Sequence, residues 1–138
     1  MYVIFFIFQA LYIFVPLLTV KGTHSKNNPS HKEQGLSVLI PAYNEAAVIK
    51  NCIQGILHVD YKRYEVMIIN DGSTDQSMEL LTSILDLQKC KKNKANKLKH
   101  KEIKGIYQSA RFNQIYVIDK ENGGKADSLN AGIEYAAH

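Results

Sequence analysis

An α/β domain, with parallel strands alternating with helices, is the fold class this sequence predicts. Three observations carry that expectation. Apolar runs of strand length recur at "LSVLIP" (36–41), "YEVMIIN" (64–70) and "QIYVID" (114–119). Each run is followed by a stretch with apolar residues at helical spacing. Each also gives way to a polar or glycine-bearing loop, the kind of chain that lines a crevice at the carboxyl end of a strand. Short apolar runs without alternation read as strands buried on both faces, joined by right-handed crossovers.

In chain order, residues 1–20, "MYVIFFIFQALYIFVPLLTV", carry no charge, and only Gln9, Pro16 and Thr19 interrupt the apolar and aromatic side chains. A helix of that length spans about 30 Å, so the segment predicts one N-terminal transmembrane helix. Nothing basic precedes Lys21, which argues against a signal peptide. Lys21, Lys26 and Lys32 follow at once, which places the downstream domain on the cytoplasmic side of the cell membrane. Residues 21–35, "KGTHSKNNPSHKEQG", are polar and rich in breakers, a linker.

The ordered domain is expected over 36–138. After the first strand, Asn44 is placed to cap a helix whose apolar positions are Val48, Ile49, Cys52, Ile53, Ile56 and Leu57. After the second, Ser73 and Gln76 have the spacing of a capping box, and Met78, Leu81, Ile84 and Leu85 form one helical face. "GIYQS" (105–109) reads as a short extended piece. The last helix, in "KADSLNAGIEYAA", places Ala126, Leu129, Ile133 and Ala136 on one stripe.

Composition narrows the classes. The 138 residues are 46% hydrophobic and 22% charged, with a net charge of +4. That excess sits in a Lys-rich insertion at 89–104, "KCKKNKANKLKHKEIK". The block reads first as a solvated surface and second as a contact for anionic lipid. It holds no aromatic residue on which bases could stack, so nucleic acid is not expected as a partner. Cys52 and Cys90 show no metal-ligand spacing and read as reduced thiols.

The loops "PAYNE" (41–45), "NDGSTD" (70–75) and "DKENGGK" (119–125) all leave the carboxyl ends of strands, where α/β sheets bind ligands. No GxGxxG follows the first strand, which argues against a dinucleotide fold. "GGK" lacks the first glycine and the Ser or Thr of a P-loop. Asp71, ionised, accepts hydrogen bonds only, which suits a ligand N–H such as the uracil imide. Gly72 would let a planar base approach the backbone. Ala42 and the ring of Tyr43 would form the opposite wall. Lys125, at the start of a helix, would set a cation and free N–H groups beside an anion.

"SVLIPAYNEAAVIKNCIQGIL", "YEVMIINDGSTD" and "DKENGGKADSLNAGI" together resemble the opening half of a family 2 glycosyltransferase of the GT-A fold, over roughly 36–75 and 105–137. The "NGGKADSLNAGI" form is most similar to the bacterial membrane-bound processive group of chitin-oligosaccharide, hyaluronan and poly-N-acetylglucosamine synthases. The resemblance implies an incomplete GT-A (nucleotide-diphospho-sugar transferase) domain. It also implies a UDP-sugar donor, a glycan or polysaccharide acceptor and a divalent cation, Mg or Mn. Pro41, Ala42 and Tyr43 would line the nucleoside, Glu45 would lie near the ribose, Asp71 and Gly72 would meet the uracil, and Lys125 the diphosphate.

The family's metal-binding DxD and its general base are expected beyond His138, so no catalytic or metal-binding residue is assigned within this chain. Two functions follow. One is the nucleotide half of a membrane-anchored glycosyltransferase, inactive as these residues alone. The other is a non-catalytic nucleotide-binding relic or regulatory module.

Overall fold

The computed structural model describes residues 34–95 and 97–138. The membrane helix expected over 1–20, and all but two residues of the expected linker, lie outside the described residues. Among the described residues, no helix is long and apolar enough to cross a membrane.

The elements run β1 (Leu36–Ala42), α1 (Ile49–Leu57), β2 (Tyr64–Asp71), α2 (Ser77–Leu85), β3 (Leu87–Lys89), β4 (Ile103–Ser109), β5 (Ile115–Lys120) and α3 (Lys125–Tyr135). They build one five-stranded sheet of order β1-β2-β5-β4-β3. β1, β2 and β5 are parallel, as expected. β4 and β3 are antiparallel additions, which corrects the expectation of an all-parallel sheet. The reason is chain length: residues 110–114 between β4 and β5 fall well short of the dozen or so that a parallel crossover needs.

Period-two alternation divides the core between the sheet's faces. Val66, Ile68, Ile115 and Val117 pack with Ile49, Ile53 and Ile56 of α1 and Leu81 and Leu85 of α2. Met67, Ile69 and Ile118 face the other way and pack with Tyr135 of α3. β2 is buried from Glu65 to Asp71, as a strand covered on both faces must be.

Two helix faces differ from the sequence expectation. On α1 only Ile49, Ile53 and Ile56 are buried, while Val48, Cys52 and Leu57 are exposed, because the contact with the sheet is one narrow stripe. On α3, Ala126 and Ile133 are exposed, and the buried positions are Ser128, Ala131, Gly132, Glu134 and Tyr135. Gly132 is the reason: a Cβ there would stand 3.1 Å from side-chain atoms of both Ile69 and Leu39, so the helix rests its small face on the sheet. Ser128 and Glu134 are carried into the interior with it.

Both expected caps are also reassigned. Neither α1 nor α2 has a side-chain cap at its N-terminus. Asn44 and Ser73 bond to each other's loops instead, and those bonds build the site.

Candidate functional site

The first contacts join the loop after β1 to the loop after β2. Asn44, at φ 55°, accepts the Thr74 N–H on Oδ1 at 2.8 Å and donates its own N–H to Ser73 Oγ at 3.0 Å. Glu45 N–H donates to Ser77 Oγ at 2.9 Å, and Ala46 N–H to Asp75 Oδ2 at 3.2 Å. Within "STD" the Ser73 hydroxyl and the Asp75 carboxylate are therefore acceptors for a neighbouring loop, while Thr74 donates to it. Asp75 also takes the Ser77 N–H at 2.9 Å, and these bonds, that from the Ser77 hydroxyl foremost, hold its carboxyl below the ordinary aspartate range.

Asp71 joins the loop after β2 to the loop after β5. It is 4% exposed. Its Oδ1 accepts from Lys120 Nζ at 2.6 Å and from Gly123 N–H at 3.0 Å, and its Oδ2 from Gly124 N–H at 2.7 Å. Asn122 Nδ2 donates to the Asp71 carbonyl at 2.9 Å. Gly72, at φ 66°, is required by this closure, since a Cβ would stand 2.7 Å from the Asn122 nitrogen. The room at Gly72 thus admits the protein's own backbone, where the sequence suggested a base.

Lys120 is wholly buried, and its three ammonium protons have three acceptors. These are Asp71 Oδ1, Asp127 Oδ2 and the Glu121 carbonyl, each at 2.6 Å. Burial pushes the Asp71 carboxyl up, but bonds from Lys120, Gly123, Gly124 and Ser128 outweigh it and hold the group below the usual range. Burial likewise opposes the charge on Lys120, and its bonds to Asp127 and Asp71 reverse that and raise it. Asp127 behaves as Asp71 does: burial raises it, and Lys120 and the Lys101 N–H bring it down.

Above this network lies a cleft of about 480 Å³, bounded by Pro41, Ala42, Tyr43 and Glu45 on one side and Asp71, Asn122, Gly124, Lys125 and Ser128 on the other. That volume falls in the range of small-molecule sites, about 300–1,000 Å³. A family model, glycosyl transferase family 2, matches residues 37–138, which include every one of these positions. The chain belongs to glycosyl transferase family 2. It is similar to the poly-beta-1,6-N-acetyl-D-glucosamine synthase of Staphylococcus aureus strain COL, at 31% identity over 106 residues, 76% of this chain and 20% of that protein. With the Staphylococcus epidermidis synthase of the same name it shares 29% over 123 residues, 88% of this chain and 22% of the relative. The chain thus spans about a fifth of the length of the curated relatives it matches.

Within this family 2 domain the three expected loops do meet at one cleft. Pro41, Ala42, Tyr43, Glu45, Asp71 and Lys125 line it; Gly72 is not among the lining residues. Lys125 is exposed at the start of α3, but the Gly123 and Gly124 N–H groups just before it are taken by Asp71 rather than left for a ligand.

Sequence reasoning missed Lys120, Asn122, Ser128 and Asp127. A signal for Lys120 existed. Met67, Ile69 and Asp71 share one face of β2, Ile118 and Lys120 share that face of β5, and Asp71 and Lys120 are register partners. An Asp opposite a Lys, on the face that α3 covers, marks a cross-strand ion pair once the register is known.

The lysine block is more than a solvated surface. Lys92 pairs with the buried Glu65 at 2.9 Å, and Lys94 pairs with the buried Glu134. His100 Nε2 lies 2.8 Å from Glu134 Oε2, and Lys101 N–H donates to Asp127 Oδ1 at 3.0 Å. The block is laced to β2 and α3. Cys52 and Cys90 are unpaired, and burial raises both thiols.

Among the described residues, no group of three His, Cys, Asp or Glu side chains could hold a metal ion. In the cleft, Asp71 is engaged by Lys120 and two amides, leaving Glu45 as the other carboxylate. These residues do not fit a divalent cation.

Proposed function

We propose that residues 36–138 are the nucleotide-binding part of a glycosyltransferase domain that takes a UDP-sugar. The complete enzyme would transfer the sugar to a growing polysaccharide or glycan by inverting displacement, and residues 1–20 would hold it in the cell membrane with the domain in the cytoplasm. The observation that carries the reading is the meeting of three strand-end loops around one cleft with complementary chemistry. Tyr43, 49% exposed, offers an aromatic face, and stacking a base on such a face contributes on the order of 1–3 kcal/mol. An ionised carboxylate has about four acceptor positions, and Asp71 uses three in its well-formed hydrogen bonds. The fourth faces the buried Ser128 hydroxyl, whose contact with Asp71 is the weakest of the four, so a ligand N–H would enter by displacing it. Lys125 supplies a positive charge at the rim for a diphosphate.

The reading assigns no step to a metal ion and no general base to residues 36–138. It therefore expects donor binding from this chain and no sugar transfer. Calorimetry of the full chain with UDP and with uridine tests it. UDP should bind more tightly, and Lys125→Ala should narrow the gap while Tyr43→Ala weakens both. Absence of UDP binding at millimolar concentration, or equal affinity for UDP and uridine, overturns the reading. For the membrane part, a glycosylation reporter fused after residue 138 should remain unmodified; modification would reverse the topology.

A further inference from the structure

We infer that Lys120 is the positioning residue that makes this cleft prefer uridine over cytidine nucleotides, by fixing Asp71 as a proton-free acceptor. The inference rests on the nucleotide reading above and assigns a residue that touches no ligand.

Uracil and cytosine differ in hydrogen-bond polarity. Uracil presents an N–H at ring position 3, and cytosine presents a bare acceptor nitrogen there. An ionised carboxylate accepts the first and repels the second, whereas a protonated one can donate to cytosine. Discrimination therefore depends on the charge of Asp71, a group 4% exposed, and burial by itself favours its neutral form. The cation opposing that tendency is Lys120, fully buried, 2.6 Å from Asp71 Oδ1 and its cross-strand register partner. Lys120 is fixed in turn by Asp127 Oδ2 and the Glu121 carbonyl, each at 2.6 Å, so it cannot swing toward a ligand. The other charged groups facing this region are Asp127 from α3, Glu45 from the loop after β1, and Lys125 at the rim. Lys125 is exposed and serves the cleft, while Lys120 lies beneath it. Orientation follows the same route: with Oδ1 held by Lys120 and Gly123, and Oδ2 by Gly124, the carboxylate cannot rotate.

The test compares UDP and CDP binding to the full chain from about pH 8 to about pH 5, in wild type, Lys120→Arg and Lys120→Met. Wild type should prefer UDP by about tenfold or more throughout, the scale of an unmade hydrogen bond to a charged group. Lys120→Arg keeps the charge and should keep the preference. Lys120→Met should lose it progressively as the pH falls, with CDP gaining on UDP. A merely structural lysine would instead weaken UDP and CDP alike at every pH, and that result overturns the inference. Should Lys120→Met fail to fold, Lys120→Met/Asp127→Asn removes the leftover negative charge and poses the same question. A ligand-free measurement separates this inference from the nucleotide reading itself. The Gly123 and Gly124 amides donate to Asp71, so their nitrogen and proton shifts report its protonation. They should titrate at higher pH in the methionine variant than in wild type, whether or not any nucleotide binds. An unchanged midpoint sinks the role of Lys120, while normal titration without UDP binding sinks only the nucleotide reading.

Discussion

α3 carries two carboxylates two turns apart, Asp127 and Glu134, and the protein answers them in opposite ways. Asp127 meets Lys120, a cation with no exposed surface that is supplied from within the sheet. Glu134, itself 2% exposed, meets Lys94 and His100 from the lysine-rich segment, and Lys94 is 60% exposed. The first arrangement is closed, since every proton of Lys120 has an acceptor inside the domain. The second is a latch fastened from outside. His100 places Nε2 2.8 Å from Glu134 Oε2 and Nδ1 2.6 Å from the Lys101 carbonyl. The closed network underlies the cleft, and the latch holds a surface segment in place. Similar charges thus do different work according to which partner is buried.

The largest expected effect breaks the closed side. Lys120→Met leaves Asp71 and Asp127 facing each other without their cation, and removing one partner of a buried pair costs about 3–5 kcal/mol. Near-ultraviolet circular dichroism melts of the full chain would register that loss; a loss below about 1 kcal/mol would place Lys120 among ordinary surface pairs. Next comes Gly72→Ala, which meets both a positive φ and the Asn122 backbone at 2.7 Å. About 2 kcal/mol of destabilisation is expected for the backbone conformation alone, together with weaker UDP binding as the loop after β5 is displaced. An unchanged melt would show that the Asn122 loop gives way freely.

On the latch side, Glu134→Gln should cost about 1.5–3 kcal/mol, the range for hydrogen bonds to charged groups. Hydrogen exchange should quicken at residues 97–101 and stay unchanged at Gly123 and Gly124. The pH dependence has a definite sign. Burial raises the Glu134 carboxyl, but Lys94, His100 and the Leu98 N–H outweigh it, so its folded value lies below the unfolded one. Its contribution is therefore full above the ordinary carboxylate range and is lost as pH falls through the lowered folded value. Glu134→Gln should flatten that acid limb of the melting curve, and an equally steep limb would assign it to other groups. Smallest of all is Lys94→Met: the lost side chain is 60% exposed and His100 and the Leu98 N–H still hold Glu134, so the melt should fall, but by less than for Glu134→Gln. A shift rivalling that of Lys120→Met would erase the distinction between the two networks.

How much of this was legible beforehand differs by element. The apolar runs at 36–41, 64–70 and 114–119 became β1, β2 and β5, but only the interior β2 is buried almost throughout. β1, expected to be buried on both faces, is the edge strand, exposed at Leu36 and half-buried up to Pro41. The convergence of Pro41, Tyr43, Asp71 and Lys125 followed from the same pattern, since parallel strands deliver their carboxyl ends to one edge. The stripe on α3 was misread because its buried face is built from Ser128, Gly132 and Glu134. Small and charged residues leave no hydrophobic period, and their burial makes sense only beside the partners that receive them. Asn44 and Ser73 carried cap-like local patterns, yet they bond across loops 29 positions apart, a choice that local spacing does not encode.

The sequence by itself determined that this chain folds as strands alternating with helices and belongs with family 2 glycosyltransferases, because apolar periodicity and ordered motifs are local properties that survive in one dimension. Only the tertiary structure decided that Asp71 is gripped by Lys120 and the Gly123 and Gly124 amides, and that the lysine segment is latched to Glu134. Those pairings depend on strand register and on how closely α3 approaches the sheet. Both are fixed when the whole core packs, since a buried charge can persist only where packing brings its counter-charge within reach.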